Sequence, residues 1–154
     1  MMSPRRYLLF VAAALVAAVL IVPVAGAGSG DVQTIRALAV RYNQLQSAGD
    51  PAACQLMTHT AQVGYVYAAS MFTKTKLTSC PAAVEALAKL NESQYPNHVA
   101  SARADATLQQ ALARGKVTVH GARATLDYTE VVGFVHSSST IDFALAQNHW
   151  LVDA

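Results

Sequence analysis

The sequence predicts an α+β fold: an N-terminal hydrophobic helix, then a domain in which helices come first and antiparallel strands last. Three observations carry this. Residues 7–22 are apolar without a break, apart from the hydroxyl of Tyr7. Between residues 31 and 114 apolar side chains recur mostly three and four apart, the spacing that gathers them on one helix face. From residue 117 onward the period drops to two, with turn residues between short runs, as in strands joined by hairpins. Helices that precede the strands, rather than alternating with them, pack together on one face of the sheet.

The first segment is an address. Arg5 and Arg6 precede the apolar run, and Pro23-Val24-Ala25-Gly26-Ala27 follows it. Two readings of residues 1–27 fit this pattern. A cleaved signal peptide has a positive start, an apolar stretch and a small-x-small site, which Ala25-Gly26-Ala27 supplies. A single transmembrane anchor needs about 20 residues, a length that residues 7–27 reach if Pro23 and Gly26 are tolerated. A buried core helix fits poorly, because the run has no polar face. Both readings export residues 28–154, so the expected location is the cell envelope or the medium. An anchor would keep its N-terminus in the cytoplasm beside Arg5 and Arg6 and hold the domain outside, with residues 7–27 as its contact with the membrane.

Charge narrows the partners. Eleven Lys/Arg and nine Asp/Glu give a net charge of +2. Arg5 and Arg6 account for the whole excess, since no acidic residue precedes Asp31, and the exported part is formally neutral. Proteins that bind nucleic acid draw most of their affinity from clustered cations that neutralise phosphates. That pattern is absent here, and a nucleic-acid partner is not expected.

Residues 28–30 read as a flexible joint leading into the domain at 31–154. Asp31 can cap a helix that places Val32, Ile35, Leu38, Ala39, Tyr42 and Leu45 on one face, closed by Gly49. Asp50-Pro51 restarts a short second helix that runs to about Met57, with Pro51 at the first position, where a missing N–H costs nothing. Residues 58–78 show no clear period, although Tyr65, Val66, Tyr67, Met71 and Phe72 require part of the stretch to pack. Ser79-Cys80-Pro81 opens a further helix with Val84, Leu87 and Ala88 inward. A loop around Pro96 spans residues 93–99, and residues 100–114 form a helix ended by Gly115. Strands follow at Val117 and Val119, at residues 122–128 with Ala124, Leu126 and Tyr128 on one face, and at residues 131–135. Ser137-Ser138-Ser139 reads as a hairpin loop. Strands at residues 141–145 and 150–152 are separated by a turn at Gln147-Asn148.

Cys54 and Cys80 are the only cysteines. An even pair outside the cytoplasm is most simply a disulfide, stapling the second helix to the next across the unpatterned stretch. Closing this span stabilises the fold by roughly 3–4 kcal/mol in the chain-entropy model. A zinc site needs about four ligands, and no His lies close to either Cys. A catalytic thiol would leave its partner unexplained.

The run Ala39-Val40-Arg41-Tyr42-Asn43-Gln44-Leu45-Gln46-Ser47-Ala48-Gly49-Asp50-Pro51-Ala52-Ala53-Cys54-Gln55-Leu56-Met57-Thr58 resembles the opening of nuclear-transport-factor-2-like (SnoaL-like) domains of exported bacterial proteins. Cys80-Pro81-Ala82-Ala83-Val84, Val117-Thr118-Val119-His120-Gly121-Ala122-Arg123-Ala124 and the closing His149-Trp150-Leu151-Val152-Asp153 are similar to later motifs of the same domains. The resemblance covers most of residues 31–153. It implies a cone of about three helices packed on a curved antiparallel sheet around an apolar pocket. Residues 58–78 and 100–114 depart from the pattern, at the mouth of that pocket. The same cone hosts isomerases, cyclases and non-catalytic binders, so fold alone does not choose a function.

Enzymes on this cone use an Asp or His base with Tyr or Asp donors to an oxyanion. The catalytic candidates here are Tyr42, Asp127, Glu130 and Asp142, with Tyr128 and His136 as further polar groups near the sheet. Alternation argues against several of them. Leu126 and Tyr128 inward put Asp127 outward, and Asp142 lies between the apolar Ile141 and Phe143. Glu130 and His136 flank an apolar run near strand ends, and Tyr42 sits on a helix face where core packing is the commoner role. The five histidines are scattered singly, so no metal site is expected. No phosphate-binding Gly-rich loop or Gly-x-Ser-x-Gly elbow occurs, and no cofactor is expected.

The residues therefore favour a non-enzymatic binding or accessory module of the bacterial cell envelope, taking a small apolar ligand in the cone or an envelope protein on the sheet. The alternative is a small pocket enzyme of the isomerase or cyclase type, pairing Tyr42 with an acid from the sheet.

Overall fold

The computed structural model describes residues 28–94, 98–132 and 135–153. The expected N-terminal hydrophobic helix lies outside them. Among the described residues no helix is long and apolar enough to cross a membrane. The described fold is α+β, with four α-helices and a four-stranded antiparallel sheet.

Helix α1, Ser29–Ser47, starts inside the stretch expected to be a joint. Gly28 occupies the cap position without a side-chain cap bond, and Asp31 lies in the first turn. The Asp31 carboxylate is engaged elsewhere: it accepts the indole N–H of Trp150 at 3.1 Å, tying the helix start to the last strand. An acid in a first turn also meets the positive end of the helix dipole. Ile35, Ala39 and Leu45 are buried along the inner face. The C-terminal turn closes at Gly49, whose φ of +68° is left-handed, with the Asp50 N–H returning to the Leu45 carbonyl at 2.9 Å. That 6→1 bond over a left-handed glycine satisfies a carbonyl that the helix leaves open.

Asp50 caps the next element as expected, accepting the Ala52 N–H at 2.8 Å, and Pro51–Leu56 forms a short 3-10 helix. Residues 58–78, which had no legible period, contain helix α2, His59–Thr73. The Thr58 hydroxyl caps it by accepting the Ala61 N–H, and it ends at Lys74 in a left-handed conformation. Its buried residues are the small Ala61 and Ala69, with Tyr65 and Val66 half-buried against the core, while Val63, Tyr67, Met71 and Phe72 are exposed.

Helices α3, Cys80–Gln94, and α4, His98–Arg114, follow. The expected loop at 93–99 is shorter on both sides, because Ser93 and Gln94 complete α3 while His98 and Val99 open α4; residues 95–97 lie outside the described set. Helix α2 packs on α3, α3 on the 3-10 helix, and α1 on α4. Gly115, just past α4, accepts the Arg36 Nε–H at 3.0 Å. A Cβ at Gly115 would come within 2.5 Å of Leu126 Cδ1 and 3.0 Å of the Asp127 carbonyl, so only glycine lets α4 meet the sheet this closely.

The sheet is a meander in the order β1-β2-β3-β4, with β1 Lys116–His120, β2 Arg123–Val132, β3 Val135–Ala146 and β4 His149–Val152. Gln147 and Asn148 both take positive φ in the two-residue turn before β4, as such hairpins require. The expected serine hairpin loop is instead strand. Ser137, Ser138 and Ser139 pair with Glu130, Thr129 and Tyr128, and the two strands stay in register to Val132 opposite Val135. Strand β1 reaches only to Asp127, and β4 pairs only with residues 143–146. The far half of β2–β3 is therefore a two-stranded ribbon in which Ser137, Ser138 and Ser139 are exposed, and no alternation of apolar residues is needed there.

Helix α1 contacts β1 and β4, and α4 contacts β2. The face beneath them carries the buried Ala124, Leu126, Phe143, Trp150 and Val152. A parallel bridge joins Met57 to Val152, and the Thr58 N–H donates to the Val152 carbonyl at 2.8 Å. The Thr58 hydroxyl also donates to Asp153 at 2.6 Å, so the last strand holds the start of α2. Cys54 and Cys80 form the expected disulfide between the 3-10 helix and α3, with their Cα atoms 6.0 Å apart.

Candidate functional site

The four catalytic candidates do not converge. Asp127 and Asp142 are exposed on the sheet face opposite the helices. Asp127 accepts the Thr140 hydroxyl at 2.7 Å across the β2–β3 pair. Glu130 is half-buried on the projecting ribbon opposite Ser137. Tyr42 lies on α1, on the other side of the sheet from both aspartates. Tyr128 is half-buried beside the core and His136 is exposed. Among the described residues no group of three or more His, Cys, Asp or Glu could hold a metal ion.

Tyr42 does have polar company. The Gln46 amide donates to its hydroxyl at 2.7 Å, and Tyr65 of α2 lies alongside. Burial, and then the neighbouring Tyr65, push the Tyr42 phenol well above its ordinary value. Burial raises Tyr65 as well, and Gln46 draws it partly back. Tyr65 and Gln46 were missed in the sequence, Tyr65 because its helix had no period and Gln46 because a glutamine on a helix carries no signal of its own. Next to Tyr42, the Asn43 side-chain N–H₂ is buried without a partner among the described residues.

The pair has a consequence for alkaline stability. Above pH about 10 the unfolded chain releases its phenolic protons while the folded chain retains those of Tyr42 and Tyr65. The unfolded state then binds fewer protons, so stability is fully present below that pH and falls as pH rises. Denaturant unfolding should show a loss of up to about 1.4 kcal/mol per pH unit from Tyr42, and a smaller one from the more exposed Tyr65. Tyr42→Phe should remove its share of the slope; an unchanged slope in the variant would contradict the assignment.

The interior is packed. Ile35, Leu112, Leu126 and Phe143 are all at most 1% exposed. A groove of about 700 Å³ lies outside this core, between α4 and the ribbon. Arg114, Lys116, Asp127, Tyr128, Thr129 and Thr140 are among the residues that line it. Register shows what its wall offers. The Asp153 N–H donates to the Asp142 carbonyl, so even-numbered residues of β3 direct their backbone groups to β4 and odd-numbered ones to β2. Through the pairing, even-numbered residues of β2 face β3, and Thr129 and Val131 turn their N–H and C=O groups away from it, into the groove. Strand β1 ends at Lys116 opposite Asp127, and no described strand pairs beyond it. The groove thus presents two open strand rungs beside the cations of Arg114 and Lys116. Nothing in the residue types marks this site, because it arises from unequal strand lengths.

Comparison with family models, with curated proteins and with solved structures finds no match.

Proposed function

We propose that this chain is an exported, non-enzymatic binding module of the bacterial cell envelope, built on a nuclear-transport-factor-2-like cone. Its partner is an extended protein segment held in the groove between α4 and β2. The observation that carries this reading is the contrast between a closed apolar interior and an open groove with free strand rungs. An exposed strand edge binds by adding a strand, with main-chain bonds giving affinity. Arg114 and Lys116 favour an acidic residue beside it. Order of elements supports the cone, since helices precede a four-stranded antiparallel meander that closes against the start of α2.

A titration followed by amide and methyl NMR tests the binding site. Acidic extended peptides should shift the amides of Lys116, Thr129 and Val131, while small apolar ligands leave the methyl groups of Leu126 untouched. The reverse result would favour the second reading, a pocket enzyme of the isomerase or cyclase type. That reading has one observation of its own, the adjacent phenols of Tyr42 and Tyr65 with the Gln46 amide. Export is tested by the N-terminus of the natural protein. A start at Gly28 in the medium means a cleaved signal, an intact start in the membrane fraction means an anchor, and an intact start in the cytosol overturns the export reading.

A further inference from the structure

Helix α2 leaves four of its large apolar residues exposed. Val63, Tyr67 and Met71 follow one another at four-residue steps and are 58%, 69% and 64% exposed, and Phe72 beside them is 72% exposed. Residues four apart share a helix face, so Val63, Tyr67 and Met71 form one stripe, while Phe72 lies about 100° around the helix from Met71 near the C-terminal end. Val63 continues the stripe into a shallow hollow with Val66 and Leu77. A small domain leaves so contiguous an apolar surface open only where something covers it.

Charge indicates what the cover is. Residues 51–84 contain no Asp or Glu, and their only Lys or Arg residues are Lys74 and Lys76, directly after the stripe. Both lysines are exposed. A second copy of the chain related by a two-fold axis would bring the same patch against itself and would offer no acid from this stretch to Lys74 and Lys76. An anionic bilayer offers the complement. Its headgroups attract the lysines, and its acyl boundary accepts Val, Met and Tyr side chains. The chain outside the described residues points the same way. The apolar run at 7–22 ends a few residues before α1 begins at Ser29, so a leader retained in the membrane would leave almost no linker. A second contact by a tethered domain is an intramolecular event and needs little affinity of its own.

We infer that the outer face of α2 is a membrane-contact surface, lying in the interface of an anionic phospholipid bilayer with Val63, Tyr67 and Met71 at the acyl boundary and Lys74 and Lys76 among the headgroups. This goes beyond the groove and does not depend on what the groove binds; it rests on the export reading, because the membrane must be within reach.

The test uses the full chain with a reporter, Tyr67→Trp, mixed with vesicles that contain brominated lipid. The native chain has a single tryptophan, Trp150, which is 7% exposed and serves as the background. Bromine should quench the added indole well beyond that background, and more strongly when phosphatidylglycerol is mixed into phosphatidylcholine. Lys76→Gln in the same chain should weaken the position-67 contact with anionic vesicles about fivefold. A control reporter at Thr140→Trp, on the opposite face of the sheet, should not be quenched. Quenching at position 67 no greater than background overturns the inference, whether or not the chain sediments with the vesicles. So does equal quenching at position 140, or a position-67 indole shielded in a dimer without lipid. Co-sedimentation reads the leader separately. A chain that sediments but shows no quenching at position 67 keeps the export reading and loses this one, whereas quenching with a natural start at Gly28 keeps this one and makes the leader a cleaved signal.

Discussion

Replacing both Cys54 and Cys80 with alanine should lower the unfolding free energy by about 3.5 kcal/mol, close to the chain-entropy value for a loop of this length. The bond spans 26 residues, and within that loop lie α2 and the turn that leads into α3. Without the bond the unfolded chain gains the freedom that the loop had lost, while the native packing keeps its form. The slope of stability against denaturant should therefore rise along with the fall in stability, because a chain without the crosslink exposes more surface when it unfolds. Urea titrations of the native and double-alanine chains read both quantities. Both sulfurs sit in the core, at 7% and 5% exposure, with Met57 Sδ 4.0 Å from Cys80. Reductant should accordingly act slowly on the folded protein and quickly once denaturant opens it. A double-alanine chain with unchanged stability would mean that the 3-10 helix and α3 are held by packing alone.

The staple was legible in the sequence because two cysteines admit a single pairing. The inward faces of α1 and α3 were legible because they carry apolar residues at helical spacing, and the Asp50-Pro51 restart because Asp50 caps it in the ordinary way. Helix α2 was not, because its large apolar residues are not confined to one face. Ala61 and Ala69 let it approach the body of the protein closely beside Tyr65 and Val66, and the exposed Val63, Tyr67, Met71 and Phe72 blur the period that would report this buried face. The ribbon defeated the reading differently. Alternation marks a strand only when one face is buried, and Ser137, Ser138 and Ser139 have water on both sides. The start of α1 was misplaced because Asp31 was assigned to its own backbone, whereas the fold uses it across the protein on Trp150. Of the catalytic candidates, alternation oriented Asp127 and Asp142 outward, the placement the fold gives them. The groove could not be read from residues at all, since a free strand edge depends on where neighbouring strands stop.

Phe143→Ala should be among the most damaging single substitutions in the sheet, costing about 3–5 kcal/mol. Phe143 is fully buried near the C-terminal end of β3, where that strand lies between β2 and β4, paired with Ala124 on one side and Val152 on the other. Both partners are too small to fill the space a lost ring leaves, and the packing of α1 and α4 on the same face limits collapse. Much of the transfer term and the cavity term should therefore appear together. Set against a total of about 5–15 kcal/mol for a domain, that is a large share of its stability. The adjacent Asp142→Ala is the matched control. Its side chain is exposed on the opposite face and its backbone bond to Asp153 survives the change, so it should move stability by no more than about 0.5 kcal/mol. Chemical denaturation of the two variants side by side measures how one-sided the sheet is. A large loss at Asp142 or a small one at Phe143 would place the core on the other face, and with it the helices, the Tyr42–Tyr65 pair and the side of β2 on which the groove opens.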